Sequence, residues 1–383
     1  MPPTSFKELE RISNESGVEK ALDFLEHNFR RDKEYFKLFE VLKMRCRQQM
    51  GLPLMYSQQP DDLDESQQRH LEDGLLAVCR EVGTLFLKSG QLQEGWMYLQ
   101  PVGDKELNEK LIRSIEPDDE NIDAVIEIAV SQGAAPAYGY QLLLKHYGTC
   151  NGITTFDTSA ARFEPAVQQG MAKILLRHLH AELMDNVRYS LNESGSTFEA
   201  DASLAELMSS YPELTKDGAH HIDTTHLASA MRIARLLEDH EDIEIAKQLA
   251  SYGGTLAEDF QYPGAPPFEK TYVDHDYFFS ALLGDKVDEA IAHFKVKTKS
   301  VNAQEYGPVA DETLVDLLVR VGRHDDALEV AIERLLGNEE SMGIAPSAFE
   351  IAKTPDQLGR LMDCFQSKDD LLGYAVALLK LKS

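Results

Sequence analysis

From His220 to His226 the chain reads HHIDTTH, three histidines and an aspartate within seven positions. Imidazole plus carboxylate is a ligand set of zinc and non-haem iron sites. His221, Asp223 and His226 are therefore candidate metal ligands, and His275, in the later VDHDYFF segment, is a fourth. The ion would be a divalent transition metal, and the chemistry a hydrolysis with metal-bound water as nucleophile. A histidine at a helix N-terminus meets the positive end of the dipole, which favours the neutral imidazole that binds metal. The same residues also have a plain structural use. Asp223 before Thr-Thr-His is a helix N-cap, His226 is a hydrogen-bonded core histidine, and His220 and His221 form an exposed loop. H-x-D-x-x-H is not diagnostic in the way that H-E-x-x-H is, so both uses stand at this level.

The second cluster is FQYPGAPPF, Phe260 to Phe268. Three prolines and a glycine stiffen this loop, and Phe260, Tyr262 and Phe268 give it apolar faces. Such a loop walls a ligand pocket, together with His275 and Tyr277, or it lies across a helix pair and covers core. Asp274 is placed to cap the helix that carries Tyr277, Phe278 and Phe279.

Other chemistry-bearing residues are isolated. Cys150 follows His146 by four positions, but no third group of a nucleophilic set accompanies them, so a buried or semi-buried structural cysteine is the expectation. His178 and His180 are two apart on a helix and face different ways. Trp96, the only tryptophan, is expected in packing. Neither GxGxxG nor GxxxxGK[ST] occurs, and the paired glycines of YGGTLAED read as a helix C-cap.

The elements that must position these residues are helical throughout. Phe6, Leu9 and Ile12 recur at helical spacing, Ser16-Gly17 interrupts, and Val18, Ala21, Leu22 and Leu25 resume. A third helix starts near Phe36 and ends near Gly51-Leu52-Pro53. YSQQPDDLDESQQ, 56 to 68, reads as a loop. Two helices flank the break from Gly133 to Pro136. The stretch from Lys145, KHYGTCNGITTFDTS, reads as a loop with an extended β-branched segment. A long helix spans Phe163 to Ser190, and the Ser/Gly/Asn-rich stretch from Leu191 to Ser203 is a candidate hinge. Strand signals are few, and the expected class is all-α.

Cys79, Val82, Gly83 and Phe86 have the spacing W-x2-L-G-x2-Y, and Gly95 and Leu99 follow with the spacing A-x3-F. This resembles the tetratricopeptide repeat, a helix-turn-helix unit. Cys79 stands where that pattern has tryptophan, Gly95 where it has alanine, and Leu107 where it has proline. Small residues at 83 and 95 let the paired helices approach, Phe86 and Leu99 fill the gap, and Gly90 makes the turn. The same turn pattern recurs in GRHDDALEVAIERL at Gly322, GDKVDEAIAHF at Gly284, SGVEKALDFL near Ser16 and, more weakly, QSKDDLLGYAVALL near Ser367. The resemblance implies an α-solenoid of antiparallel helix hairpins, a superhelix with a concave groove that holds a peptide or protein. Residues 1–190 and 205–383 would be two helical-repeat regions, the second carrying the His/Asp/aromatic cluster, or one continuous array.

With 383 residues and 43% hydrophobic content, the chain buries a sizeable core. A net charge of −27 repels phosphate backbones and anionic lipid, which argues against nucleic acid and membrane partners. Four scattered cysteines without a CxxC pair fit a reducing cytoplasm. MPPTSFKELERIS lacks the apolar core of a signal peptide. Two functions follow: a cytoplasmic scaffold for a protein or peptide partner, or a metal-dependent hydrolase or small-ligand binder with its pocket near residues 218–279.

Overall fold

The computed structural model describes residues 3–55, 63–337 and 341–382, and among these there is no strand. The chain forms two compact units, Met1–His146 and Tyr147–Ser383. The expected hinge from Leu191 to Ser203 lies within the second.

The first unit contains α1 (Pro3–Arg31), α2 (Tyr35–Gln49), α3 (Glu65–Lys88), α4 (Leu92–Leu99), α5 (Lys105–Arg113) and α6 (Ile122–Ile126), the last running into a π turn, Glu127–Ser131. Next, α7 (Pro136–Ser159) crosses the division and is interrupted at Gly148 (φ 78°, ψ 178°). Gly17 interrupts α1 in the same way (φ 82°, ψ −178°), as the hydrophobic spacing predicts. Asp64 and Gln67 form a reciprocal capping box, so α3 begins inside the stretch read as loop; residues 56–62 of that stretch lie outside the described residues.

Consecutive helices pack pairwise from α1 through α4. The α3–α4 hairpin shows why small residues stand at 83 and 95. A Cβ on Gly83 would sit 2.7 Å from Leu99 Cγ, and one on Gly95 2.7 Å from Leu87 Cγ. Val82, Phe86 and Leu99 are buried beside them, and Gly90 turns the chain at φ 81°. Trp96 lies in this core.

The second unit continues through α8 (Pro165–Glu193), α9 (Leu204–Ser210), α10 (Thr224–Ala234), α11 (His240–Gly254), α12 (Thr271–Leu282), α13 (Val287–Ser300), α14 (Ala303–Tyr306), α15 (Val309–Arg320), α16 (His324–Leu336), α17 (Ala348–Ile351), α18 (Pro355–Ser367) and α19 (Leu371–Lys382). Neighbours pair as α10–α11, α11–α12, α12–α13, α15–α16 and α18–α19. Links two or three elements apart, α10–α12, α13–α15, α12–α15 and α16–α18, join the pairs. The recurring turn is left-handed each time, at Gly284 (φ 81°), Gly322 (φ 78°) and Asp369 (φ 56°). Ala290 and Ala327, which follow the first two turns, are fully buried. The weaker sequence echo near Ser367 thus uses an aspartate where the others use glycine.

Two readings of the sequence are corrected. KHYGTCNGITTFDTS is helical apart from Gly148. The Thr154 and Thr158 hydroxyls donate back to the carbonyls of Cys150 and Thr154, and Ile153 and Phe156 are buried. Cys150 itself is exposed. The glycine pair does mark the end of α11, which stops at Gly254, but Thr255 is the C-cap; a Cβ on Gly253 would meet the Tyr272 ring at 2.2 Å, so this glycine lets α11 and α12 touch.

Candidate functional site

Asp223 caps α10 as its position predicts. Its Oδ1 accepts from the Thr225 N–H (2.9 Å), the Thr225 hydroxyl (2.6 Å) and the His226 N–H (3.2 Å). The Thr225 hydroxyl first, then these N–H groups, hold the carboxyl below its ordinary value. A carboxylate so occupied orders the helix start. His226 is half-buried, and its backbone belongs to this cap.

His221 is held through its backbone. Its N–H donates to the Tyr252 hydroxyl (2.9 Å), and its carbonyl accepts from Asn186 Nδ2 (2.9 Å). Burial, with His220 adjacent, lowers its imidazole pKa, and Nδ1 is buried without a partner. Burial likewise raises the Tyr252 hydroxyl to about 12. Phe260 packs at a tilt against His220, centroids 4.7 Å apart, and Tyr277 stacks on His293 at 4.4 Å.

His275 is elsewhere. It is 2% exposed within α12, donates from Nδ1 to the Thr271 carbonyl (2.6 Å), and leaves Nε2 as an acceptor without a partner. Burial, then the Arg235 charge, push its pKa down to about 3, so it is neutral at physiological pH. The four proposed ligands therefore do not form a set, and no group of three or more His, Cys, Asp or Glu suited to a metal occurs among the described residues. The reason is local: the Asp223 carboxylate is used by the helix cap, and His221 is held through its backbone.

The structure does bring Tyr262, Phe268 and His275 together. They line a cavity of about 520 Å³ between α10, the proline loop and α12, with Thr225, Ala228, Ser229, Arg232 and Arg235 along α10. Pro263, Gly264, Ala265 and Pro266 form the loop wall, and Val309 and Ile344 close another side. Phe268 is buried and stacks on His275 at 4.3 Å. The Arg235 guanidinium lies 4.6 Å over the other aromatic partner, Phe268. Gly264 is needed here because a Cβ would come within 2.3 Å of the Phe268 carbonyl. Thr271 fastens the loop by donating to the Tyr262 carbonyl (2.6 Å).

Asp274 does not cap α12 from outside. It sits within the first turn, fully buried, and accepts from the Lys270 N–H (2.8 Å), Lys297 Nζ (2.9 Å) and His293 Nε2 (2.7 Å). This network pins α12 to α13 beneath the cavity. Ile344 reaches the cavity because fully buried Glu312 gathers its segment: Oε2 accepts from the Ile344 N–H (2.9 Å), and Oε1 from the Met342 N–H (2.8 Å), Ser341 and Arg334 (2.6 Å). Burial raises the Glu312 carboxyl, but these donors outweigh it and leave the pKa lowered.

The arginines are the cavity residues the sequence reading passed over. Thr225, Ala228, Arg232 and Arg235 recur at helical spacing along one side of α10, but arginine near a helix C-terminus reads first as a partner of the dipole. The lining contains no Asp, Glu or Cys. The lining combines apolar walls, a neutral imidazole and two guanidinium groups.

No protein-family model matches the chain, and no match is found to a curated protein or to a solved structure. Among the described residues, no helix is long and apolar enough to cross a membrane.

Proposed function

We propose that this chain is a binding protein of the divergent tetratricopeptide-like kind. Its helix hairpins form a solenoid, and its ligand site is the cavity between α10, the proline loop and α12. The cavity carries the reading. Its volume lies within the range of small-molecule sites, and its lining joins apolar walls to a few polar groups. The recurring left-handed turns followed by buried small residues support the repeat architecture. Four free cysteines suit a reducing cytoplasm. A repeat array also serves as a scaffold for a protein or peptide, and the cavity would then receive one side chain or chain end of that partner.

The test is a fragment screen by ligand-observed NMR, on the wild type and on Ser229→Trp, which places an indole in the cavity. Fragments that bind the wild type and are lost in the filled variant support the site. If no fragment's binding depends on the open cavity, the reading fails.

A further inference from the structure

The donors that face this cavity are almost all committed within the protein. Thr225 donates its hydroxyl to Asp223, Ser229 to the Thr225 carbonyl (3.0 Å), and Thr271 to the Tyr262 carbonyl. His275 donates from Nδ1 to Thr271. Arg232 is taken by Asp157, its Nη2 lying 2.7 and 2.9 Å from the two carboxylate oxygens. The Tyr262 hydroxyl and Arg235 remain, and Arg235 is the charged one. Its Nε donates to the Arg232 carbonyl (3.2 Å), while its terminal nitrogens have no acceptor among the described residues and are not sealed from solvent. No carboxylate lies within ion-pair distance of it there: Asp316, the acidic group that influences it, pairs with Arg320 at 3.7 Å. Burial, then repulsion from Arg232, lower the Arg235 pKa to about 10, which leaves it charged at neutral pH.

A half-buried cation with no carboxylate at ion-pair distance is left under-compensated, and an anion relieves that cost. The chain around it carries −27, yet the cavity lining holds two arginines and no acid. We infer that the cavity selects a small organic carboxylate with a ring-sized apolar body, its carboxylate on the Arg235 guanidinium and its body between Phe268, Tyr262, Pro266 and Ile344. This rests on the cavity's being the ligand site. Carboxylate is favoured over phosphate because a single planar fork matches it with two parallel hydrogen bonds.

Three probes separate the possibilities: 3-phenylpropionate, its neutral amide 3-phenylpropanamide, and phenyl phosphate. Each is titrated into the full chain at pH 7 by NMR and calorimetry. The carboxylate should bind at least tenfold more tightly than the amide. Arg235→Gln should abolish that preference, Arg235→Lys should retain part of it, and Ser229→Trp should abolish binding of both. Arg235→Gln should also melt no lower than the wild type, since it removes a half-buried unpaired charge; this keeps loss of binding distinct from loss of fold. Equal binding of carboxylate and amide, or a preference that survives Arg235→Gln, overturns the anion assignment while the cavity stands. Tighter binding of phenyl phosphate overturns the carboxylate class. If none of the three binds, the ligand class is overturned, and the fragment screen against Ser229→Trp decides separately whether the cavity binds anything.

Discussion

His275 shows how one buried imidazole sets a pH dependence. Native His275 takes a proton only near pH 3, whereas in the unfolded chain it titrates near the usual ~6.5. Between those values the unfolded state binds the extra proton. Stability therefore stands in full above about pH 6.5 and is lost as pH falls, by at most about 1.4 kcal/mol per unit from this group. His180 and His221, also lowered by burial, act in the same direction. Replacing His275 by phenylalanine keeps a ring against Phe268 and removes the proton site. Urea unfolding at pH 7, 6 and 5 should show a shallower loss of stability for His275→Phe than for the wild type, and equal slopes would refute the assignment. At this scale the sequence was legible where chemistry is local. Asp223 is a cap because the N–H groups it needs are two and three residues away. It says less where proximity in sequence stands in for a shared site in space: His221, Asp223 and His226 form no metal-suited group among the described residues. Arg235 was hidden because nothing in its neighbours shows that its carboxylate partner is missing.

Helix hairpins were the most legible elements, since turn and close approach both leave marks: a left-handed glycine, then a small residue where helices touch. The same logic explains two errors. Glycine and β-branched residues around Gly148 read as loop, yet one left-handed residue joins two helical segments, and threonines satisfy their hydroxyls on carbonyls one turn back. Gly253 and Gly254 do end α11, but the role of Gly253 was hidden because its neighbour across space, Tyr272, is absent from the local sequence. The pair gives a sharp test. Gly253→Ala drives a methyl into the Tyr272 ring and should cost about 2 kcal/mol, the usual penalty for overpacking. Gly254→Ala meets open space without a left-handed backbone and should stabilise by about 0.5 kcal/mol. Urea midpoints of the two variants should move in opposite directions. If they move together, the α11–α12 contact does not depend on the glycine.

The charge of the whole molecule opposes the charge of the cavity, and the opposition is measurable. A field from −27 repels a small carboxylate at long range. Arg235 attracts it only at contact, from a half-buried position where ions screen less than at the open surface. Added salt acts unequally on the two: the screening length shrinks from ~30 Å at 10 mM to ~10 Å at 0.1 M, which removes the distant repulsion and spares the contact. The affinity of 3-phenylpropionate should therefore rise severalfold between 10 and 150 mM sodium chloride, while that of the neutral amide stays level. An exposed arginine on a neutral protein would show the reverse. A carboxylate affinity that falls with salt would place the anion on a screened surface charge, and Arg235 would then be a packing residue whose stem covers Phe268.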